Sequence, residues 1–232
     1  VMRSVIEEKT NRIIEIIISS VKPIQLMMGK VLGTSLAGIT QFTIWVLLAG
    51  VLAITSFYVL GIDIFTVQKS QLETVEQIAQ PEIAQLVMDV INLPILSLVI
   101  FFLIYFIGGY FLYSAIYAAI GAAVDSETDT QQFMFPVILP LMLGIYVGFF
   151  SVIENPHGSV STIFSMIPLT SPIVMLMRIP FGVPWWELAI SVGILIITNF
   201  GVIWLAAKIY RVGILMYGKK ASYKELFKWL KY

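Results

Sequence analysis

Residues 7–30 read EEKTNRIIEIIISSVKPIQLMMGK, a charged, amphipathic segment that runs through a proline into a long stretch without formal charge. Between Lys30 and Asp63 no side chain is ionisable except Tyr58. A soluble helix has no reason to hand over to such a run, and a plain membrane anchor has no reason for so patterned a lead-in. Together they predict a rod lying on the membrane surface and joined to a spanning helix. Val5, Ile6, Ile13, Ile16 and Ile17 recur at helical spacing, and Arg3, Glu7, Asn11 and Glu15 fall largely on the other face. Glu8 and Arg12 form an i,i+4 pair. Such a helix either rests in the headgroup layer with a solvated polar face or offers that face to a partner in the water. The residues alone leave both open.

Composition places the rest of the chain in the membrane as well. Hydrophobic residues make up 59% of the 232 and charged residues 12%, with a mean hydropathy of +0.93. Soluble domains are nearer a quarter charged, so this is an integral membrane protein. Zero net charge argues against a nucleic-acid partner. The absence of cysteine excludes a disulfide scaffold, a thiolate nucleophile and a thiolate metal site. A start at Val1, with no initiator Met and no signal-peptide pattern, predicts a piece of a longer protein.

A spanning helix needs about 20 apolar residues. Four runs qualify, near 34–60, 94–123, 133–153 and 187–207. The second exceeds one bilayer and must tilt, kink near Pro94 or project beyond it. With both ends cytoplasmic, twelve of the fourteen basic residues fall inside and only Lys69 and Arg178 outside, as the positive-inside rule requires. The expected fold is therefore an all-α, polytopic transmembrane bundle. It divides into an amphipathic segment (1–30), a transmembrane domain (31–207) and a basic cytoplasmic tail (208–232), with outer segments at 61–92 and 154–186. Residues 163–181 compete as a fifth span, but they hold Pro168, Pro172, Pro180 and Arg178. An Arg at the bilayer centre costs about 2.5–3.5 kcal/mol, and a fifth span would export the basic tail. Broken helices that enter and leave from the outer face are the better reading.

The remaining segments read as structure. Residues 70–91 begin with Ser70 and Glu73 in a capping box and carry an apolar stripe, so they predict an external amphipathic helix kinked at Pro81. The acidic loop 125–130, DSETDT, reads as a solvated turn in which Asp129 or Thr130 caps the next helix. The aromatic, basic tail suits anionic headgroups of membrane lipids, and Trp185 with Trp186 marks an interface. Small-residue spacings such as Gly29/Gly33, Ala115/Ala119/Ala123 and Gly144/Gly148 allow close helix approach.

No catalytic constellation emerges. Glu7, Glu8 and Arg12 match the E-E-x-x-x-R of prenyl-protein-type intramembrane proteases, but those need histidines within later spans. This chain has one histidine, His157, in an outer loop. Gly29-Lys30 is no phosphate-binding loop, because Ile24 stands where the first Gly belongs, and Gly218-Lys219-Lys220 fails likewise. No catalytic, cofactor or metal residue is assigned. Without paired charges inside the spans, an ion-coupled carrier is disfavoured too.

Residues 5–30, together with AIGAAVDSETDTQQ (119–132) and IPLTSPIVMLMR (167–178), resemble type-2 ABC exporter permeases, particularly the sodium-extrusion-like branch. The likeness covers nearly the whole chain and departs at Val21, where the family often has proline; here Pro23 follows two positions on. The resemblance implies a six-span permease of which this chain is the last four spans. It also implies a separate ATP-binding subunit that carries ATP and Mg, and a second permease half, identical or not. Glu7, Glu8, Lys9, Arg12 and Glu15 would form the polar docking face of a coupling helix, with Pro23, Gly29 and Lys30 passing its motion on. Pro168, Pro172 and Arg178 would belong to an outer gate. The implied function is ATP-driven efflux across the cell membrane. The alternatives are a scaffold or immunity protein that works without ATP and a secondary carrier.

Overall fold

A computed structural model describes residues 1–11, 17, 20–60 and 94–216, and every regular element among them is helical. The chain folds as an all-α bundle in which α1 covers Met2–Thr10, α2 Pro23–Leu60 and α3 Ile95–Ala123. α4 covers Glu127–Val147 and runs on as a π-helical turn, Gly148–Val152. Two short helices follow, α5 (Ser159–Met166) and α6 (Ser171–Arg178), the latter extended by a 3-10 turn at Ile179–Phe181. α7 (Trp185–Gly213) completes the described chain. Four of these helices are long and apolar enough to cross a membrane: α2, α3, α4 with its π turn, and α7.

Two compact units are present, Val1–Leu36 with the residues from Ser97 onward, and Ala37–Leu96. In the second unit α2 continues to Leu60 without a charged residue, and Ile44, Leu47 and Leu52 stand exposed. A helix apolar on every side is suited to lipid. At 1.5 Å per residue its 38 residues extend for about 57 Å, longer than a bilayer core.

The first unit holds the core. Ala115, Ala118, Ala119 and Ala122 on α3 meet Met27 and Val31 on α2, Val5 on α1, and Ala206, Ala207 and Tyr210 on α7. Alanines at this spacing let helix backbones approach closely in a medium where apolar burial drives little association. A second cluster joins Tyr105 and Leu112 of α3 to Met175 of α6 and Leu188 and Leu195 of α7.

Several local expectations are corrected. Pro94 does not kink a helix; it immediately precedes α3. Pro23 opens α2 as its first residue, where its missing N–H costs nothing. Ser126, and neither Asp129 nor Thr130, caps α4: its Oγ accepts from the Asp129 N–H at 3.3 Å and donates to Asp129 Oδ2 at 2.7 Å. A side chain added at Gly29 or Gly33 would meet nothing within 4 Å, so neither is a close-approach position. Gly148 is such a position, packed against Met177 of α6, whereas a Cβ at Gly144 would make only ordinary contact with Ile173. The helix expected over 70–91 and the tail beyond 216 lie outside the described residues.

Candidate functional site

α1 is seated in the bundle and does not merely rest beside it. Its apolar face places Val5 at 0% and Ile6 at 4% exposure. The seat requires glycine at position 121: a Cβ there would lie 2.8 Å from the Met2 carbonyl oxygen and 3.2 Å from Val5 Cβ. No side chain fits that gap without displacing α1.

Two lysines then fasten the helix. α3 ends at Ala123, and the last carbonyls of a helix have no partner within it. Lys9, 1% exposed, fills that need: its Nζ donates to the carbonyls of Ala122 at 2.9 Å and Val124 at 3.2 Å. The same ammonium lies 2.8 Å from Asp125 Oδ1 and complements the negative end of the α3 dipole. Burial pushes its pKa below the ordinary lysine value of 10.5, and the Asp125 carboxylate opposes that shift. Lys30 fastens the other side. Its Nζ pairs with Glu8 Oε2 at 2.7 Å and donates to Ser4 Oγ at 2.8 Å, so α1 is tied to the first turns of α2.

The expected docking set therefore divides. Glu7 remains outward, in an exposed pair with Arg3 at 2.9 Å. Glu8 turns sideways to Lys30. Lys9 is corrected: it faces inward and belongs to no solvated face, because the α3 carbonyls and Asp125 solvate it better than the surface could. Arg12 and Glu15, with the Glu8–Arg12 pair, lie outside the described residues.

The proline-rich segment forms a second polar cluster. Arg178 is fully buried, with Nε donating to the Pro156 carbonyl at 2.7 Å, Nη1 to Ser165 Oγ at 2.6 Å and Nη2 to Thr162 Oγ1 at 3.2 Å. Glu187, in the first turn of α7, supplies the counter-charge at 2.8 Å. The planar guanidinium thus fixes α5, α6, the 153–158 turn and the start of α7 to one another, the service that a rigid five-donor fork performs best. Ser191 adds a bond to the Ser165 carbonyl at 2.8 Å. Gly182, at φ 81°, turns the chain from the 3-10 segment toward α7 in a conformation that favours glycine. Pro168 lies half-buried in the α5–α6 turn. Pro172 opens α6 and packs on α3, where a Cβ at Gly109 would lie 3.1 Å from its ring.

Between α3, α4 and α6 lies a groove of about 460 Å³ whose α3 wall is aromatic: Phe102, Tyr105, Phe106, Tyr110, Tyr113 and Tyr117. Leu141 of α4 and Pro172, Ile173 and Leu176 of α6 face that wall, and no charged residue lines the groove. Tyr113 bridges to α6's leading turn through a 2.7 Å bond to the Leu169 carbonyl. Among the described residues no group of His, Asp or Glu is arranged to hold a metal.

Sequence reasoning passed over Asp125, Glu187 and Gly121. One signal was available for Glu187: an arginine in an apolar segment demands a counter-ion, and Glu187 is an acid at a helix start just beyond it. Nothing comparable pointed to Gly121.

The sequence model of the ABC-2 family transporter proteins matches residues 1–208. The chain is 32% identical over 222 residues to the uncharacterized protein YhaP of Bacillus subtilis, covering 94% of this chain and 48% of the relative. It is 27% identical over 229 residues to an uncharacterized protein of Methanocaldococcus jannaschii, covering 98% and 48%. The chain thus spans about half the length of these relatives. No solved structure matches it.

Proposed function

Because the chain belongs to the ABC-2 family of transporters and is its multi-pass membrane component, we propose that it is the permease subunit of an ATP-driven exporter and that α1 is the coupling helix. A separate ATP-binding subunit would carry ATP and Mg, press on the exposed face around Arg3 and Glu7, and work on two permease halves together. In this reading both ends of the described chain face the cytoplasm, and substrate moves outward.

The fastening of α1 to two long apolar helices carries the proposal. Lys30 links it to α2 and Lys9 links it to the end of α3. A push on the outward face would therefore reach both helices at once. Outward- and inward-facing states would differ in their contacts with the ATPase, which gives the motor its hold on the equilibrium. The aromatic groove, bounded by Pro172 of the proposed gate, is the natural course for substrate.

The test is reversal of the outward pair. Arg3→Glu with Glu7→Arg in the full-length protein should lower association with the ATP-binding subunit and its stimulated hydrolysis at least tenfold. Unchanged association and hydrolysis would remove α1 from the coupling role.

A further inference from the structure

Tyr210, in the last turn of α7, is fully buried, and its hydroxyl has no hydrogen-bond partner among the described residues. Its side chain belongs to the core that also holds Val5 of α1 and Met27 and Val31 of α2. Those contacts place Tyr210 beneath the joint between α1 and α2. Glu8 stands about one helical turn beyond Val5, and Lys30 immediately precedes Val31. Glu8 and Lys30 pair at 2.7 Å. The Glu8 carboxylate is close enough to act electrostatically on the Tyr210 hydroxyl, yet it accepts no bond from it.

A hydroxyl buried without a partner is costly, and phenylalanine would fill the same space without that cost. Packing alone therefore does not explain a tyrosine here. A donor beside a carboxylate that is engaged elsewhere does explain it, provided the carboxylate changes partners. Glu8 has two donors beside it, the Lys30 ammonium on α2 and the Tyr210 hydroxyl on α7, and in this structure it takes the first. We propose that Glu8 exchanges Lys30 for Tyr210 when α1 shifts, so that the Tyr210 hydroxyl is the second seat of the Glu8 carboxylate. The exchange is cheap, because a hydrogen bond to a charged acceptor replaces an ion pair that is partly exposed. α1 is already tied to α2 and α3, and the second seat gives it a hold on α7 as well. The use of that hold in transport rests on α1 being the coupling helix; the exchange itself does not.

The test is the sign of one substitution in two backgrounds, read as thermal unfolding of the full-length protein in mild detergent. No ATP-binding subunit takes part, so the outcome is separate from that of the coupling assignment. Tyr210→Phe alone should leave the melting temperature unchanged or raise it, since it removes an unpaired hydroxyl. Lys30→Met deprives Glu8 of its present partner. In that background Tyr210→Phe should lower the melting temperature by at least about 2 °C, because Glu8 then has only Tyr210 to turn to. Lys30→Gln, a gentler break that keeps the protein folded should Lys30→Met not, is expected to give the same reversal. Adding Glu8→Ala should abolish it. If Tyr210→Phe acts alike with and without Lys30, or if the reversal survives Glu8→Ala, the exchange is overturned.

Discussion

The Lys9 ammonium sits 2.8 Å from the Asp125 carboxylate while it also donates to the carbonyls of Ala122, in the last turn of α3, and of Val124 just beyond it, so one side chain joins α1 to the turn between two long helices. A buried lysine in that position is a joint, and its removal should be felt at both ends.

Lys9→Met should destabilise the protein by about 1–3 kcal/mol. This is less than the ~3–5 kcal/mol typical of breaking a fully buried pair, because Asp125 is 30% exposed. Combining it with Asp125→Asn should cost less than the sum of the two single changes. Unfolding in mild detergent measures both. The pH dependence has a definite sign. Burial lowers the folded-state pKa of Lys9, so the unfolded chain binds more protons between that value and 10.5, and Lys9's contribution rises with pH across that window. Lys9→Met should abolish that rise.

Glu8 and Lys30 offer an exchange. Glu8→Lys and Lys30→Glu should each weaken the α1–α2 attachment and stimulated ATP hydrolysis, and the double exchange should recover most of the loss. The coupling should be on the order of 1 kcal/mol, since the pair is partly exposed. A double-mutant cycle on hydrolysis rates reads it.

Gly121→Val should be harsher than the small change in side-chain size suggests, because position 121 is buried against α1. Its Cβ would meet the α1 backbone, whose Met2 oxygen has nowhere to retreat while Val5 stays buried. Overpacking of this kind costs about 1–3 kcal/mol. The expected phenotype is a folded bundle with a dislodged α1, detectable as new protease sensitivity before Thr10.

Arg178→Met leaves Glu187 as a buried charge without its counter-ion and should cost about 3–5 kcal/mol. Glu187→Gln should recover part of that loss in the double variant, as thermal unfolding would show. A purely solvated arginine would give no such rescue.

How far these features were legible in the sequence follows from what each depends on. The four apolar helices depend on run length and absent charge, which composition carries by itself. The amphipathic start was legible for the same reason, since Val5 and Ile6 announce an apolar face. Lys9 was not. It stands beside Glu7 and Glu8 and reads as solvent-facing, and only the carbonyls of Ala122 and Val124, remote in the chain, give it a reason to turn inward. Arg178 was read by its cost in lipid, and its compensation came from Pro156, Thr162, Ser165 and Glu187, which spacing does not bring together. Gly121 was one small residue among many until the α1 backbone was found against it.

The central claim is that an ATP-binding subunit seats on the exposed side of α1. A photo-crosslinking amino acid at Glu7 in the full-length protein, activated in native membranes, tests it most directly. Capture of an ATP-binding subunit at Glu7, and its absence when the probe replaces the buried Val5, is the expected result. No such capture at Glu7, or reaction of that position with a membrane-impermeant reagent from outside the cell, would contradict it.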